Sequence, residues 1–225
     1  MIDSLPTYVS ILFIILVVVT LYQFFLATKK DRGGFVVVLL VALIQAVLSQ
    51  RGFYTEMNET QPRLALILMP SVLVILLAFL TPRGKAFIAR IDLEKYTYLQ
   101  TVRVGVELVL YSLFVHALIP ETMTFAGRNW DILTGLTAPL IAYYGWRRSK
   151  ISAKGILIWN VIGLFLVLQV VITGILSAPS PFQQLAFNQP NIGIQFFPFI
   201  WLPSVIVPLV IFGHIVSITR WKDKK

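Results

Sequence analysis

The sequence predicts an all-α, polytopic membrane protein: one domain over residues 1–225, built as a bundle of seven transmembrane helices with the amino end outside and the carboxyl end in the cytoplasm. Three observations predict it. Seven long apolar runs divide the chain, basic residues collect in every second gap between them, and the composition is 57% hydrophobic against 13% charged, with a mean hydropathy of +0.82. A soluble core could not hide so much apolar surface. In hydrocarbon each backbone N–H and C=O must find a partner within its own segment, so an open chain crosses as helix.

The runs cover residues 5–27, 34–50, 64–80, 102–119, 130–146, 155–176 and 196–218. A crossing takes roughly 20 residues, with about 17 to 25 tolerated, and the second and fifth runs lie near the short end. The first run is too long for a signal-peptide core and has no basic residue before it, so it is expected to be retained as a helix. Lys29, Lys30 and Arg32 fill the first gap, while Arg83, Lys85, Arg90, Lys95 and Arg103 occupy or border the third. Arg147, Arg148, Lys150 and Lys154 fill the fifth, and Arg220, Lys222, Lys224 and Lys225 follow the last run. Only Arg51, Arg63 and Arg128 fall in the other gaps. Short cytoplasmic loops accumulate Lys and Arg, which sets the orientation.

The net charge of +9 is accordingly read as a topology signal and as contact with lipid headgroups, with no nucleic-acid partner expected. The absence of Cys rules out disulfides, thiolate catalysis and Cys-ligated metal. Asn58-Glu59-Thr60 matches a glycosylation sequon on the predicted outer side, a match that chance explains.

The stretch 88–99 in the long third gap mixes apolar and charged residues, and is expected either to lie along the inner interface or to extend the fourth helix. Met69-Pro70-Ser71-Val72 in the third helix and Leu202-Pro203-Ser204-Val205 in the seventh share Pro-Ser-Val, and both helices run inward. A three-helix unit repeated in parallel around an inverting fourth helix would leave that match, although helices one and five, and two and six, show none. This three-one-three topology with the amino end outside resembles that of the SWEET sugar transporters. The resemblance is confined to topology, because the Pro-Gln signature of that family has no counterpart: Gln61-Pro62 and Gln189-Pro190 are reversed and lie in loops.

Glu107 is the one acidic residue well inside a run, with Arg103 and Tyr111 at i−4 and i+4 on the same helical face. A carboxylate in hydrocarbon is costly and normally faces a bundle interior or a wet cavity. Proton coupling or ligand binding is one reading; a structural Arg103–Glu107 pair near the inner boundary is the other. His116 and His214 lie toward opposite sides of the membrane, so they do not share a metal, and each is expected to hydrogen-bond a neighbouring helix. At the mouth of helix five, Asn129 or Asp131 is expected to cap the first N–H groups, with Arg128 balancing the acid and Trp130 at the interface. An outer gate is the functional alternative there.

Gln45, Asn160 and Gln169 are intramembrane amides that either bond between helices or line a polar cavity. Pro70, Pro139, Pro203 and Pro208 each free a carbonyl about one turn earlier, at Leu66, Gly135, Phe199 and Ser204. The uncharged outer connection 177–195 carries Phe, Asn and Gln, and is expected to fold over the bundle as a lid or to seal it in the headgroup layer.

The seventh run has His214 but no lysine, which argues against a retinal Schiff base, and no P-loop, His-Glu-x-x-His or Gly-x-Ser-x-Gly occurs. No catalytic residue, metal or cofactor is expected. The functional expectation is a small transporter or permease in the cell membrane that binds a neutral polar or lipid-like molecule. Its candidate binding residues are Glu107, Tyr111, Asn160, Gln169, Trp201 and Ser204; Arg103, His116, Arg128, Asp131 and His214 are candidate gate or structural polar residues. The alternative is a non-catalytic sensor or a scaffold subunit of a larger complex, and a homo-oligomer is compatible with either.

Overall fold

A computed structural model describes residues 5–55, 63 and 65–221. The sequon at 58–60, Gln61-Pro62 and the basic residues Lys222, Lys224 and Lys225 lie outside the described residues. The fold is all-α, in the order α1 (Thr7–Ala27), α2 (Arg32–Gln50), α3 (Ala65–Leu80), α4 (Pro82–Arg90), α5 (Leu93–Leu99), α6 (Val102–Val115), α7 (Asp131–Leu140), α8 (Ala153–Ser177) and α9 (Val207–Thr219). Among the described residues, five helices are long and apolar enough to cross a membrane, or six when the bent α3–α4 pair counts as one. The molecule is therefore a polytopic helical membrane protein.

Short polar residues start the helices. Asp31 Oδ2 accepts from the Gly34 N–H at 2.7 Å, Thr81 Oγ1 from Gly84 at 3.1 Å, Asp92 Oδ1 from Lys95 at 3.1 Å and Ser152 Oγ from Gly155 at 3.1 Å, so each satisfies an N–H that the helix itself cannot. The turn between α3 and α4 is sharper than the sequence suggests. Pro82 holds Thr81 extended at φ −93° and ψ 149°, and α4 departs at 89° from α3. A Cβ on Gly84 would lie 2.3 Å from the Ala78 carbonyl oxygen, so this corner closes only with glycine.

The long third connection thus divides. Its first half is α4, turned back from α3, and its second half extends the fourth crossing, since α5 and α6 together form one apolar span of 23 residues, Leu93–Val115. The fifth run is α7 followed by wider π-type turns at Ile141–Arg147, just beyond Pro139, and another such stretch, Leu202–Ile206, leads into α9. A missing proline donor breaks the regular ladder, and the helix re-registers around it. The seventh run is consequently helical only from about Trp201, with 196–200 in turns.

Helix α9 is central: 67% of its apolar window is buried, against 22% for α2 and α8 and 28% for α1. One half of the core packs Phe13, Leu113, Ile119, Phe199 and Ile206 together; the other gathers Phe24, Tyr96, Leu99, Phe212 and Val216. The outward faces remain apolar, with Ile15, Leu43, Leu76, Ile158 and Phe165 exposed. Helices that are hydrophobic all round suit hydrocarbon on their outer side.

Two of the carbonyls freed by proline are taken by side chains from neighbouring helices. Gln45 Nε2 on α2 donates to the Leu66 carbonyl at 3.1 Å, and Ser71 Oγ on α3 donates to the Ser204 carbonyl at 2.5 Å. The two Pro-Ser-Val stretches therefore sit against each other. The Phe199 carbonyl is taken locally by the Leu202 N–H at 2.9 Å.

Replacing Ser71 with Ala is expected to cost about 1 kcal/mol, the usual size of an interhelical hydrogen bond in a membrane protein. In a Pro208→Ala background, where residue 208 regains an N–H for the Ser204 carbonyl, the same change should cost measurably less. Unfolding of the four proteins in micelles checks this, and equal costs in both backgrounds would refute it.

Candidate functional site

The buried polar groups converge where α6, α7, α8 and α9 meet. Arg103 and Glu107 are 3% and 2% exposed, and His214 is fully buried. Arg103 Nη2 pairs with Asp131 Oδ1 at 2.8 Å and donates to the Gly163 carbonyl at 3.1 Å. Its Nη1 lies 3.0 Å from His214 Nε2. A guanidinium only donates, so Nε2 accepts and the imidazole carries its proton on Nδ1. That proton goes to Asn160 Oδ1 at 2.9 Å, and Asn160 Nδ2 in turn donates to the Ile156 carbonyl at 2.9 Å. Gly163 makes the approach of α8 feasible, because a Cβ there would fall 2.5 Å from His214 Cε1.

Glu107 belongs to the same cluster by a different route. Asn129 Nδ2 donates to Glu107 Oε1 and also, at 3.0 Å, to the Met123 carbonyl. Asn129 Oδ1 accepts the Asp131 N–H at 3.0 Å, so the expected cap at the mouth of the fifth helix comes from Asn129. Glu107 Oε2 is buried with no close hydrogen-bond partner among the described residues.

Three expectations change here. The ion pair of Arg103 is with Asp131 and not with Glu107, because Gly135 lets α7 come against α6: a Cβ on Gly135 would lie 3.1 Å from Arg103 Cβ. Arg103 therefore points into the bundle and does not reach an interface. Asp131 is balanced by Arg103 and not by Arg128, which is exposed. Tyr111 departs from the face it was predicted to share: eight residues beyond Arg103, at 3.6 per turn, it has drifted by about 80°. It is 39% exposed and stacks on Phe125 with ring centroids 5.0 Å apart.

The remaining candidates are held singly. Gln169 Nε2 donates to the Arg128 carbonyl at 2.9 Å, Trp201 Nε1 to the Ala42 carbonyl at 2.8 Å and Ser204 Oγ to the Ile200 carbonyl at 2.8 Å. His116 was expected to reach a neighbouring helix; its Nδ1 instead lies 2.8 Å from the Ser112 carbonyl of its own last turn. The outer connection is fastened by its amides. Gln189 Nε2 donates to the Phe114 and Ile119 carbonyls at 3.0 and 2.7 Å, and Asn191 Nδ2 to the Gly174 carbonyl at 3.0 Å. Phe182 and Phe187 point outward.

A cavity of about 790 Å³ opens elsewhere, between α2, α3, α4 and α9. It extends from Ser71 and Ser204 in mid-bundle to Asp31, Arg83 and Arg90 at the charged end, with walls that include Val38, Val74, Ile75 and Phe212. Its rim includes Val37 and Leu77, both exposed, so the groove opens at the protein surface between α2 and α3. A smaller cavity of about 340 Å³ at the other end is lined by Glu121, Arg128 and Gln189 among others. Of the candidate residues, Ser204 reaches the large groove and Arg128 the small one; Arg103, Glu107, Asp131, Asn160 and His214 line neither.

Sequence reasoning missed the groove and the burial of Asn129. The Thr81-Pro82 corner with Gly84 was the signal for the groove, because that corner turns α4 underneath it. Gly163, in the middle of a long apolar run, was the signal for close helix approach.

These features define a polytopic helical membrane protein with a buried ionisable cluster and a separate apolar groove. The chain belongs to the family described as Domain of unknown function (DUF8737), which matches residues 60–221. Comparison with the curated proteins and with the solved structures gave no match.

Arg103→Met leaves the buried Asp131 carboxylate without its cation, and is expected to destabilise the protein by about 3–5 kcal/mol. Arg103→Met combined with Asp131→Leu removes both charges and should recover most of that loss. Denaturant unfolding in micelles compares the two; a double variant no more stable than the single would contradict an ion pair acting as one unit.

Proposed function

We propose that the chain is a small carrier of the cell membrane that crosses seven times, with its amino end outside and its carboxyl end in the cytoplasm, and binds a lipid-like molecule in the groove between α2, α3, α4 and α9. The groove is the observation that carries this reading. Its volume falls within the range of roughly 300–1,000 Å³ common to small-molecule sites, its walls are apolar, and it opens toward the lipid. A neutral polar solute has less support, because Gln45, Asn129, Asn160 and Asn191 are already hydrogen-bonded to other protein groups.

The count of seven is supported by α7 and the π-type turns after it, which run unbroken over Asp131–Arg147 and reach the short end of the usual range, about 17 residues. The orientation is supported by the basic residues of alternate connections. The three-one-three layout draws its support from the facing Pro-Ser-Val stretches.

Because the chain has no native Cys, single cysteines report sidedness directly. Lys29→Cys and Arg148→Cys should react with an impermeant maleimide only in inverted vesicles, and Arg128→Cys and Gln183→Cys only in right-side-out vesicles. Labelling of the first pair from outside would reverse the orientation. For the groove, Val38→Trp should reduce binding of a pyrene-labelled fatty acid by about tenfold or more, with exposed Leu40→Trp as the neutral control. Undiminished binding in Val38→Trp would remove the ligand from this groove.

A further inference from the structure

We infer that the groove selects an anionic amphiphile, holding its head between Arg83 and Arg90 at the charged end and its chain against the walls of α2, α3 and α9. This inference rests on the lipid-like reading of the groove and adds the chemical class of the ligand.

The two ends of the groove differ in what they leave free. At the closed end in mid-bundle, the Ser71 hydroxyl is engaged with the Ser204 carbonyl and the Ser204 hydroxyl with the Ile200 carbonyl. No free donor faces a ligand from those two residues, and the walls beyond them are hydrocarbon. From Ser71 to Thr81 the lining follows ten residues of α3 and its end, about 15 Å at 1.5 Å per residue. That is about half of the ~30 Å hydrocarbon thickness, which is the depth of an acyl chain in one leaflet.

At the charged end the groups near the mouth are Asp31, Thr81, Arg83 and Arg90. Thr81 Oγ1 donates to the Leu77 carbonyl at 2.8 Å while accepting from Gly84. Asp31 Oδ2 is engaged by the Gly34 N–H at 2.7 Å, and Oδ1 lies 3.6 Å from Arg90 Nη2. The lining at this end thus carries two guanidinium groups and one carboxylate; Arg90 Nε donates to the Ala86 carbonyl at 3.2 Å, and the guanidinium of Arg83 has no partner among the described residues. A planar guanidinium pairs with carboxylate or phosphate through two parallel N–H···O bonds, and inner leaflets are rich in anionic headgroups. An alcohol or an uncharged ester head would leave Arg83 as unpaired as it is now.

The test uses the full chain in nanodiscs of neutral lipid and two probes with the same chain, a pyrene-labelled fatty acid and the corresponding fatty alcohol. The acid should bind about tenfold or more tightly than the alcohol. Arg83→Gln with Arg90→Gln should remove that preference while leaving alcohol binding unchanged, and Arg32→Gln should not. Equal affinity of the two probes for the native chain, or a preference that survives loss of both arginines, would overturn the inference.

Inorganic phosphate at probe-saturating conditions should fail to displace the acid, since the chain supplies much of the affinity. Displacement by phosphate alone would reassign the arginines to a free-anion site and also overturn it. Val38→Trp separates the two readings. If it weakens both probes equally while the arginine variants change nothing, the groove binds amphiphiles without selecting charge; if it weakens neither, the groove reading fails as well.

Discussion

In hydrocarbon no water is available to a stranded polar group, and nearly every feature of this protein follows from that constraint. The backbone meets it by forming helix. Where proline interrupts the ladder, side chains of neighbouring helices complete it: Gln45 serves the Leu66 carbonyl and Ser71 the Ser204 carbonyl. These repairs also join α2 to α3 and α3 to the entrance of α9, so positions that weaken single helices become contacts that fix how the helices pack. Between helices in lipid the hydrophobic effect supplies little attraction, and such contacts have correspondingly more influence on packing.

The ionisable cluster obeys the same constraint with higher stakes. A buried guanidinium without partners would be prohibitively costly. Arg103 meets Asp131, His214 and the Gly163 carbonyl within 3.1 Å, so three helices besides its own contribute to one side chain. Glycines at 135 and 163 matter because they permit that distance. The cluster pins α6 to α9 together. The groove lies on the other side of α9, against α2, α3 and α4, and its walls are largely apolar. The ionisable cluster and the groove thereby lie on different faces of the central helix.

Much of this was legible in the sequence. The apolar runs and the spacing of basic residues marked the long helices, because hydrocarbon thickness and backbone satisfaction act on local stretches of chain. The proline rule named the carbonyls of Leu66 and Ser204 before their partners were known, and the burial cost of charge singled out Glu107, with Arg103 marked as its helical neighbour and Asp131 as a cap at the mouth of the fifth helix. The partners themselves were not legible. A salt bridge between Arg103 and Glu107 follows from helical spacing alone, yet α7 offers a nearer carboxylate once Gly135 lets it close in. Tyr111 looked like part of the same face, but drift of the helical repeat turns it outward.

By itself, then, the sequence determined the class of structure, the approximate helices and which polar residues had to find company, since each depends on the energetics of a single segment in lipid. Only the tertiary structure decided who meets whom and where space is left. The 89° corner after α3, the approach of α8 at Gly163 and the groove beside α9 arise from helices meeting at distances set by side chains far apart in the chain, and no local rule encodes those distances.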